Sequence, residues 1–226
     1  MKPPMIIIVI LCIVITIGIL IYFFNPKAII LRRLKALPFS KIGSLQNNKF
    51  AKIEGIALNI DAPLIAPLSK RKCVFYKITI QKKVNNGKNS HWKTVVNEIK
   101  IQDFFIEQSS ERLIVFPTSY KDYLVIDNKA NSGTFNDPSP KFRSLLESYN
   151  IETEGIFGMN KSLRYTEAIV EVGERITVAG LVKWSKLENP VAGYNYSSIA
   201  SLTSKDKNKI IITDSPDALR PKHGRV

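Results

Sequence analysis

The sequence predicts a mainly β domain with one short helix, a small antiparallel barrel or sandwich (OB-like in one form), behind an N-terminal transmembrane helix. Three observations predict it: an uncharged apolar run near the N-terminus, strand-length segments from residue 50 onward, and one later segment with helical spacing. With 45% hydrophobic and 23% charged residues among 226, the composition is that of a folded protein. We predict an anchor at 1–24, a basic amphipathic segment at 25–48, a β domain at 49–216 and a polar tail at 217–226.

The apolar run MIIIVILCIVITIGILIYFF, residues 5–24, contains no charged residue. Its length corresponds to about 30 Å of helix, the thickness of the hydrocarbon core of a bilayer. The run ends in Tyr22, Phe23 and Phe24 rather than in a small-residue cleavage site, which favours an uncleaved anchor over a signal peptide. A buried helix of a soluble core is the other alternative.

The segment after the anchor predicts a second helix. Asn25 suits an N-cap and Pro26 a first helical position, and the apolar residues Ile30, Leu34 and Leu37 share one stripe. We expect this helix to lie on the membrane surface, or else to continue the anchor helix. The cations expected to contact anionic lipid are Lys27, Arg32, Arg33 and Lys35.

The charge is uneven along the chain. Residues 27–100 contain sixteen Lys and Arg against three acidic residues, whereas 101–226 contain sixteen of each. A nucleic-acid-binding protein could have such a basic half, but its position beside the anchor favours anionic lipid, so we expect no nucleic-acid partner. By the positive-inside rule, the cations after the anchor predict a single-pass protein of a bacterial inner membrane with its domain in the cytoplasm.

Period-two alternation predicts about six strands. They are FAKIEGIAL, CVFYKITIQKKV, HWKTVVNEIKIQDFFIEQ, ERLIVFP, EAIVEVGERITVAGLVKW and NKIIITD, some of which contain a turn. In the second segment, Val74 and Tyr76 are predicted on one face and Phe75 on the other. The Asn-Gly of NNGKNS predicts a hairpin loop, and Gly55 a bulge or close approach.

The chain after Pro117 is predicted to be irregular, and NKANSGTFNDPSP to be a loop. Within it, Ser139 and Pro140 predict the start of the short helix. The residues expected on its apolar face are Phe142, Leu145, Leu146 and Tyr149.

The sequence contains no convincing catalytic or metal-binding constellation, so we expect no cofactor and no metal. The only cysteines are Cys12 and Cys73 and the only histidines His91 and His223, without the spacing of a zinc site. We found no nucleophile, P-loop or dinucleotide motif. For Glu167 a solvated or backbone-capping carboxylate is favoured over a general base.

Several segments together are similar to one known family. They are KIEGIAL, APLIAPLSKRKCVFYKITIQ, HWKTVV, FFIEQSSERLIVFP, YTEAIVEVGERITVAGLV and KIIITDSP, in order from residue 52 to 216. The chain thereby resembles the GIDE domain family, the membrane region of the E3 ubiquitin ligase MULAN that also occurs in bacterial membrane proteins. The positions that carry the family motifs are Pro67, Leu68, Ser69, Cys73, Tyr76, Glu167, Gly173 and Gly180.

The resemblance implies a membrane-tethered, non-catalytic interaction domain. The ligase needs a RING finger with eight Cys and His ligands, whereas this chain has two of each, so ubiquitin transfer is not implied. The tail SPDALRPKHGRV is polar, so the second membrane helix of many relatives is not expected either. We hypothesise that the domain binds a protein or peptide near the bilayer. The alternatives are a lipid-binding role, or an enzyme of unrecognised type centred on Cys73, His91 or Glu167.

Cys73 follows a turn and the cations Lys70, Arg71 and Lys72. Free cysteine often packs as a small apolar residue, and we predict that role. Exposure beside three cations would instead lower its pKa and make it reactive, which is the alternative.

Overall fold

A computed structural model describes residues 3–87, 89–155, 159–186, 197–205 and 208–219. Its helices are α1 (Pro3–Phe24), α2 (Pro26–Lys35) and α3 (Pro140–Ser148). Its strands are β1 (Phe50–Asn59), β2 (Leu64–Ile65), β3 (Lys72–Asn86), β4 (Asn89–Ile101), β5 (Phe104–Gln108), β6 (Glu111–Val115), β7 (Tyr120–Tyr123), β8 (Asn128–Ser132), β9 (Leu163–Glu171), β10 (Arg175–Lys186), β11 (Ser198–Thr203) and β12 (Ile210–Thr213). The mainly β prediction is confirmed.

Five strands close into a barrel in the order β1–β5–β6–β11–β10, because β1 pairs with both β5 and β10. All neighbours are antiparallel except β6 and β11. This closed Greek-key barrel is of the OB type that the sequence suggested. Side chains such as Ile53, Ile106 and Val178 are fully buried in its core. Strands β12 and β7 extend the sheet beyond β10.

The remaining strands form an open half-barrel. β3 pairs with β4 along one edge and with β9 along the other, β8 pairs with β9, and β2 adds two residues beside the start of β3. Helix α3 packs its Phe142, Leu145 and Leu146 on one face of this sheet. Its N-cap is Ser139, which accepts a hydrogen bond from the Phe142 N–H at 3.3 Å. The predicted short helix is confirmed.

The half-barrel departs from the predicted pattern at the start of β3. The pairing of β3 with β9 shifts register between Cys73 and Phe75, so Val74 is an extra residue on β3. Val74 and Phe75 therefore both pack into the barrel core, while Cys73 packs with Tyr76 under α3. The prediction that Val74 shares a face with Tyr76 is wrong, because a bulge breaks strict alternation.

Four strands lie where the sequence predicted none, and the first of them is the two-residue β2. β7 and β8 fall in the stretch expected to be irregular, and β11 belongs to no predicted strand. β8 is polar, Asn128–Ser132, and is held by its ladder with β9. β11 is rich in small residues and lies between β10 and β6. Pairing partners, rather than apolar alternation, define these strands.

Helix α1 contains a 20-residue stretch, Met5–Phe24, that is long and apolar enough to cross a membrane, and none of this stretch is buried in the protein. Helix α2 starts as predicted, with the Asn25 side chain accepting from the Lys27 N–H at 2.9 Å. Its apolar stripe is covered, since Ile30 and Leu34 pack against the outside of the barrel. Contrary to our expectation, the apolar stripe of α2 therefore faces the barrel and not a membrane surface.

Candidate functional site

The turn from Pro67 to Ser69 is held by a buried carboxylate. The fully buried Glu167 accepts hydrogen bonds from the Leu68 N–H at 2.9 Å and the Ser69 N–H at 3.2 Å. Tyr165 Oη and Asn128 Nδ2 also donate to it, at 2.8 and 3.1 Å. Two motif segments nearly one hundred residues apart thus meet, and the predicted backbone-capping role of Glu167 is confirmed.

These contacts keep Glu167 ionised. Burial raises the pKa of the carboxyl, but the hydrogen bonds from Ser69, Leu68 and Tyr165 outweigh it, so its pKa lies below the ordinary value. Every contact to the carboxylate is a donor that fixes a turn or a strand. This arrangement stabilises the fold.

Cys73 is fully buried between the turn and α3. Its thiol lies 3.6 Å from the Leu64 carbonyl oxygen. Burial, with a contribution from the Glu167 charge, raises its pKa to about 12. The charge of Arg71 acts in the opposite direction and lowers the pKa of Cys73, but its effect is smaller than that of burial. The Arg71 guanidinium itself pairs with Asp127 and Glu171 at 3.0 and 2.9 Å. The burial supports the core role for Cys73.

Tyr76 belongs to a second polar group on the same covered face. Its hydroxyl donates to Glu98 at 2.6 Å, and Tyr149 donates to the other oxygen of Glu98 at 2.7 Å. Burial alone would raise the pKa of the Glu98 carboxyl. The two tyrosine hydrogen bonds and the Lys100 ammonium at 3.0 Å lower it by more, so its pKa lies below the ordinary value. The group ties the end of α3 to β3 and β4.

Three glycines from the sequence analysis have clear backbone roles. Gly173 has φ +93° in the turn between β9 and β10 and donates to the Ala57 carbonyl at 2.8 Å. A Cβ at Gly180 would lie 3.2 Å from Leu202 Cβ, so a larger residue would crowd the barrel. At Gly55 a Cβ would lie 2.5 Å from the Glu107 carbonyl oxygen, which confirms the close approach predicted there.

The four cations of the predicted lipid-facing segment differ in their surroundings. Lys27 pairs with Asp217 at 2.7 Å, and Arg32 donates to the Phe23 carbonyl at 3.0 Å while lying over the Tyr22 and Phe23 rings. Arg33 and Lys35 are exposed.

The remaining candidates do not form a site among the described residues. His91 is exposed on β4, and no group of three potential metal ligands occurs in the part of the chain that the structure describes. His223 lies outside the described residues.

A concave surface lies on the other face of the half-barrel. Two adjoining pockets of about 250 and 440 Å³ share Ile126 and Thr166, and together we call them the groove. The lining residues used below are Pro26, Lys77, Thr79, Gln81, Asp122, Ile126, Lys129, Arg164 and Thr166. The sequence singled out none of these for binding, although the alternation of Tyr165 and Glu167 with Arg164 and Thr166 was a usable signal.

The groove exists because the barrel covers only part of this face. Near the start of β3 the face is buried, since Phe75, Val170 and Ala168 pack into the barrel core. Further along, Thr79 and Thr166 are only half-buried and line the groove. Ile126, beside them, is 48% exposed.

In comparisons with known proteins, no protein-family model, no curated protein and no solved structure matches the chain.

Proposed function

We propose that the protein is a membrane-anchored, non-catalytic binding domain, and that the groove binds a segment of a partner protein near the bilayer. One observation carries the proposal: the half-barrel has one face packed under α3 and a second face left as an open groove that begins at Pro26. Pro26 is two residues beyond Phe24, the last residue of the apolar stretch. A segment in the groove would therefore lie close to the membrane surface.

The character of the groove supports binding rather than catalysis. Its walls combine an exposed isoleucine, threonines and cations, a mixture suited to a polypeptide with alternating side chains. The most strongly buried acidic side chain of the half-barrel, Glu167, faces away from the groove and is occupied by structural hydrogen bonds.

We also propose that the chain is a GIDE-type domain without a RING finger. The hydrogen bonds from the Leu68 and Ser69 N–H groups to Glu167 support this proposal. They join the Pro67–Ser69 turn to the segment of Glu167, which are the two stretches that resemble the family most specifically. The proposal is testable by exchanging the Pro67–Ser69 turn for that of a family member, which should preserve folding.

The binding function is tested by photo-crosslinking in intact cells. We would place p-benzoylphenylalanine at Thr166 in the groove and, as a control, at the exposed Lys183 on the barrel. We expect a discrete protein adduct from position 166 that is lost when Ile126→Ser is added and is absent from position 183. Adducts with lipid alone, or the same adducts at both positions, would contradict the proposal.

The membrane arrangement is part of the proposal: one crossing by α1, the domain in the cytoplasm, and anionic lipid as a second partner through the exposed Arg33 and Lys35. A protease added to spheroplasts should leave the domain uncut. Without residues 1–24 the domain should still bind anionic vesicles at low salt and leave them at high salt, since charge attraction between exposed groups is screened. Cleavage of the domain by the external protease would overturn the cytoplasmic orientation. Failure of the truncated chain to bind anionic vesicles at low salt would overturn the contact with anionic lipid.

A further inference from the structure

The face of the half-barrel that lines the groove carries an excess of positive charge. Strand pairing places Lys77, Thr79 and Gln81 of β3 on the same face as Ala168, Thr166 and Arg164 of β9. Strands β4 and β8 add six residues to this face: Trp92, Thr94, Asn97, Ile99, Lys129 and Asn131. None of these strand residues is acidic, so the face is cationic.

The positive charge is greatest at the end of the groove away from Pro26. Lys77, near Pro26, is paired with Asp122 at 2.7 Å. Lys129 and Arg164, at the other end, have no ion pair among the described residues. Their charges are therefore available to a ligand.

Arg164 is held in place for recognition. Its Nε donates to Gln81 Oε1 at 2.6 Å, and its guanidinium lies 4.3 Å from the centre of the Trp92 ring. Its two terminal nitrogens make no hydrogen bond within the described parts of the chain. A planar guanidinium that is fixed at Nε and stacked on a ring presents a two-donor fork, which matches the two oxygens of a carboxylate.

The spacing of the groove predicts the spacing of a ligand. Ile126 and Thr166 line both pockets, and Arg164, two residues before Thr166 on β9, lines the larger pocket with them. Two residues of an extended strand span about 7 Å and return a side chain to the same side. An apolar side chain on Ile126 would thus be followed, about two residues later, by a side chain at Arg164.

We infer that the groove recognises an extended, acidic protein segment in which an apolar residue on Ile126 is separated by one residue from an Asp or Glu that binds Arg164 and Lys129. This inference rests on the proposed function and names the chemistry of the partner. A protein segment is favoured over a lipid headgroup because the groove extends about 13 Å along β3 from Lys77 to Gln81, by the rise of four residues, and combines the exposed Ile126 with its cations.

The test uses the full chain in nanodiscs of phosphatidylcholine, which is uncharged overall, and a displayed library of random octapeptides. We expect the enriched peptides to contain an apolar residue and an Asp or Glu two positions apart. Arg164→Gln should reduce their retention about tenfold, and Arg164→Lys by less, because lysine keeps the charge but loses the fork. The control Arg112→Gln, which removes a cation paired with Glu107 on the barrel, should leave retention unchanged.

The outcomes separate this inference from the proposed function. In one outcome the enriched peptides contain no acidic residue, and their retention is lost in Ile126→Ser but kept in Arg164→Gln. That result would overturn the acidic character of the ligand and leave the proposed function standing. No enrichment above empty nanodiscs would overturn both. A third outcome is that no peptide is enriched and that the wild-type chain binds phosphatidylserine nanodiscs through Arg164. This result would also overturn both the inference and the proposed function, and it would assign the groove to lipid. Thermal unfolding of each variant shows whether a loss of binding reflects a loss of fold.

Discussion

The closed barrel and the half-barrel are built from strands of the same chain, yet they leave different surfaces. In the barrel, pairing of β1 with β10 completes the ring, and side chains such as Ile53 and Val178 fill the inside. In the half-barrel the sheet does not close, and α3 covers one face. The barrel shields only part of the other face. The unclosed sheet therefore keeps an open concave surface, whereas the closed sheet uses its interior for a packed core.

The two faces of the half-barrel differ in how they treat polar groups. On the covered face, Glu167 and Glu98 are each satisfied by several donors. On the groove face, Arg164 and Lys129 have charges without an ion pair among the described residues. Buried polar groups that are bonded internally stabilise the fold, whereas exposed charges without an internal partner are hydrated and can exchange that water for a ligand. The predictions below test this division, and Trp184 in the barrel and Trp92 in the half-barrel give one fluorescent reporter for each region.

The largest effect is expected for Glu167→Ala. It leaves the N–H groups of Leu68 and Ser69 and the Tyr165 hydroxyl without their buried acceptor, which should lower the free energy of unfolding by about 3–5 kcal/mol. Denaturation of the full chain in detergent measures it. The control Glu152→Ala removes a carboxylate that is 84% exposed and should leave the free energy of unfolding nearly unchanged. Equal costs for the two variants would show that the covered face does not depend on Glu167.

Gly55→Ala tests the barrel. The added Cβ would lie 2.5 Å from the Glu107 backbone oxygen and from an Ile106 side-chain carbon, so β1 and β5 must separate. We expect a loss of about 2–3 kcal/mol, seen first in Trp184 fluorescence. Gly133→Ala is the matched control, because its nearest atom is the Ser162 hydroxyl oxygen at 3.6 Å. A loss of stability in the control as large as in Gly55→Ala would rule out the close-contact explanation.

Much of the fold was predictable where a strand alternates against one covered face. β3 from Tyr76 onward and the first half of β9 show such a pattern, whereas β1 and β10 are buried on both faces over much of their length. β8 and β11 show no such pattern, because β8 is polar and is held by its ladder, and β11 is made largely of small residues with neighbours on both edges. The bulge at Val74 was also unpredictable, since it appears only when β3 is aligned with β9.

The site was less predictable than the fold. Glu167 and Ser69 are 98 residues apart, and only the pairing of β3 with β9 brings the turn over the carboxylate. The groove depends on which residues of four strands, β3, β7, β8 and β9, line one concave surface, and on where the barrel stops covering that surface. The sequence did separate Tyr76 from Lys77 by alternation, but it could not show that the second side stays open.

Asp214 joins the two regions and predicts a pH dependence. It follows β12 and accepts from the Val125 N–H at 2.9 Å, next to the groove residue Ile126. Burial, with the nearby charge of Glu174, raises its pKa from 3.8 to about 7. The folded protein therefore holds a proton that the unfolded chain has lost between about pH 4 and 7. This contribution to stability is complete at low pH and is lost as pH rises through 7.

We expect the free energy of unfolding to fall by about 1–2 kcal/mol between pH 5 and pH 8, and Asp214→Asn to remove most of that fall. Denaturation at both values measures it. The exposed-loop variant Asp61→Asn should keep the wild-type difference. An unchanged difference in Asp214→Asn would show that Asp214 is not the group that titrates.

The smallest effect is expected at Cys73, which lies where the turn, β3 and α3 meet. Cys73→Ala removes one buried sulfur and should cost on the order of 1 kcal/mol, since the remaining contacts can relax. With the thiol fully buried and its pKa raised to about 12, a maleimide should label it slowly in the folded protein and quickly in denaturant. Labelling is best followed in a Cys12→Ser background. Fast labelling of the folded protein at neutral pH would mean that the covered face opens, and Cys73 would then be a candidate functional residue.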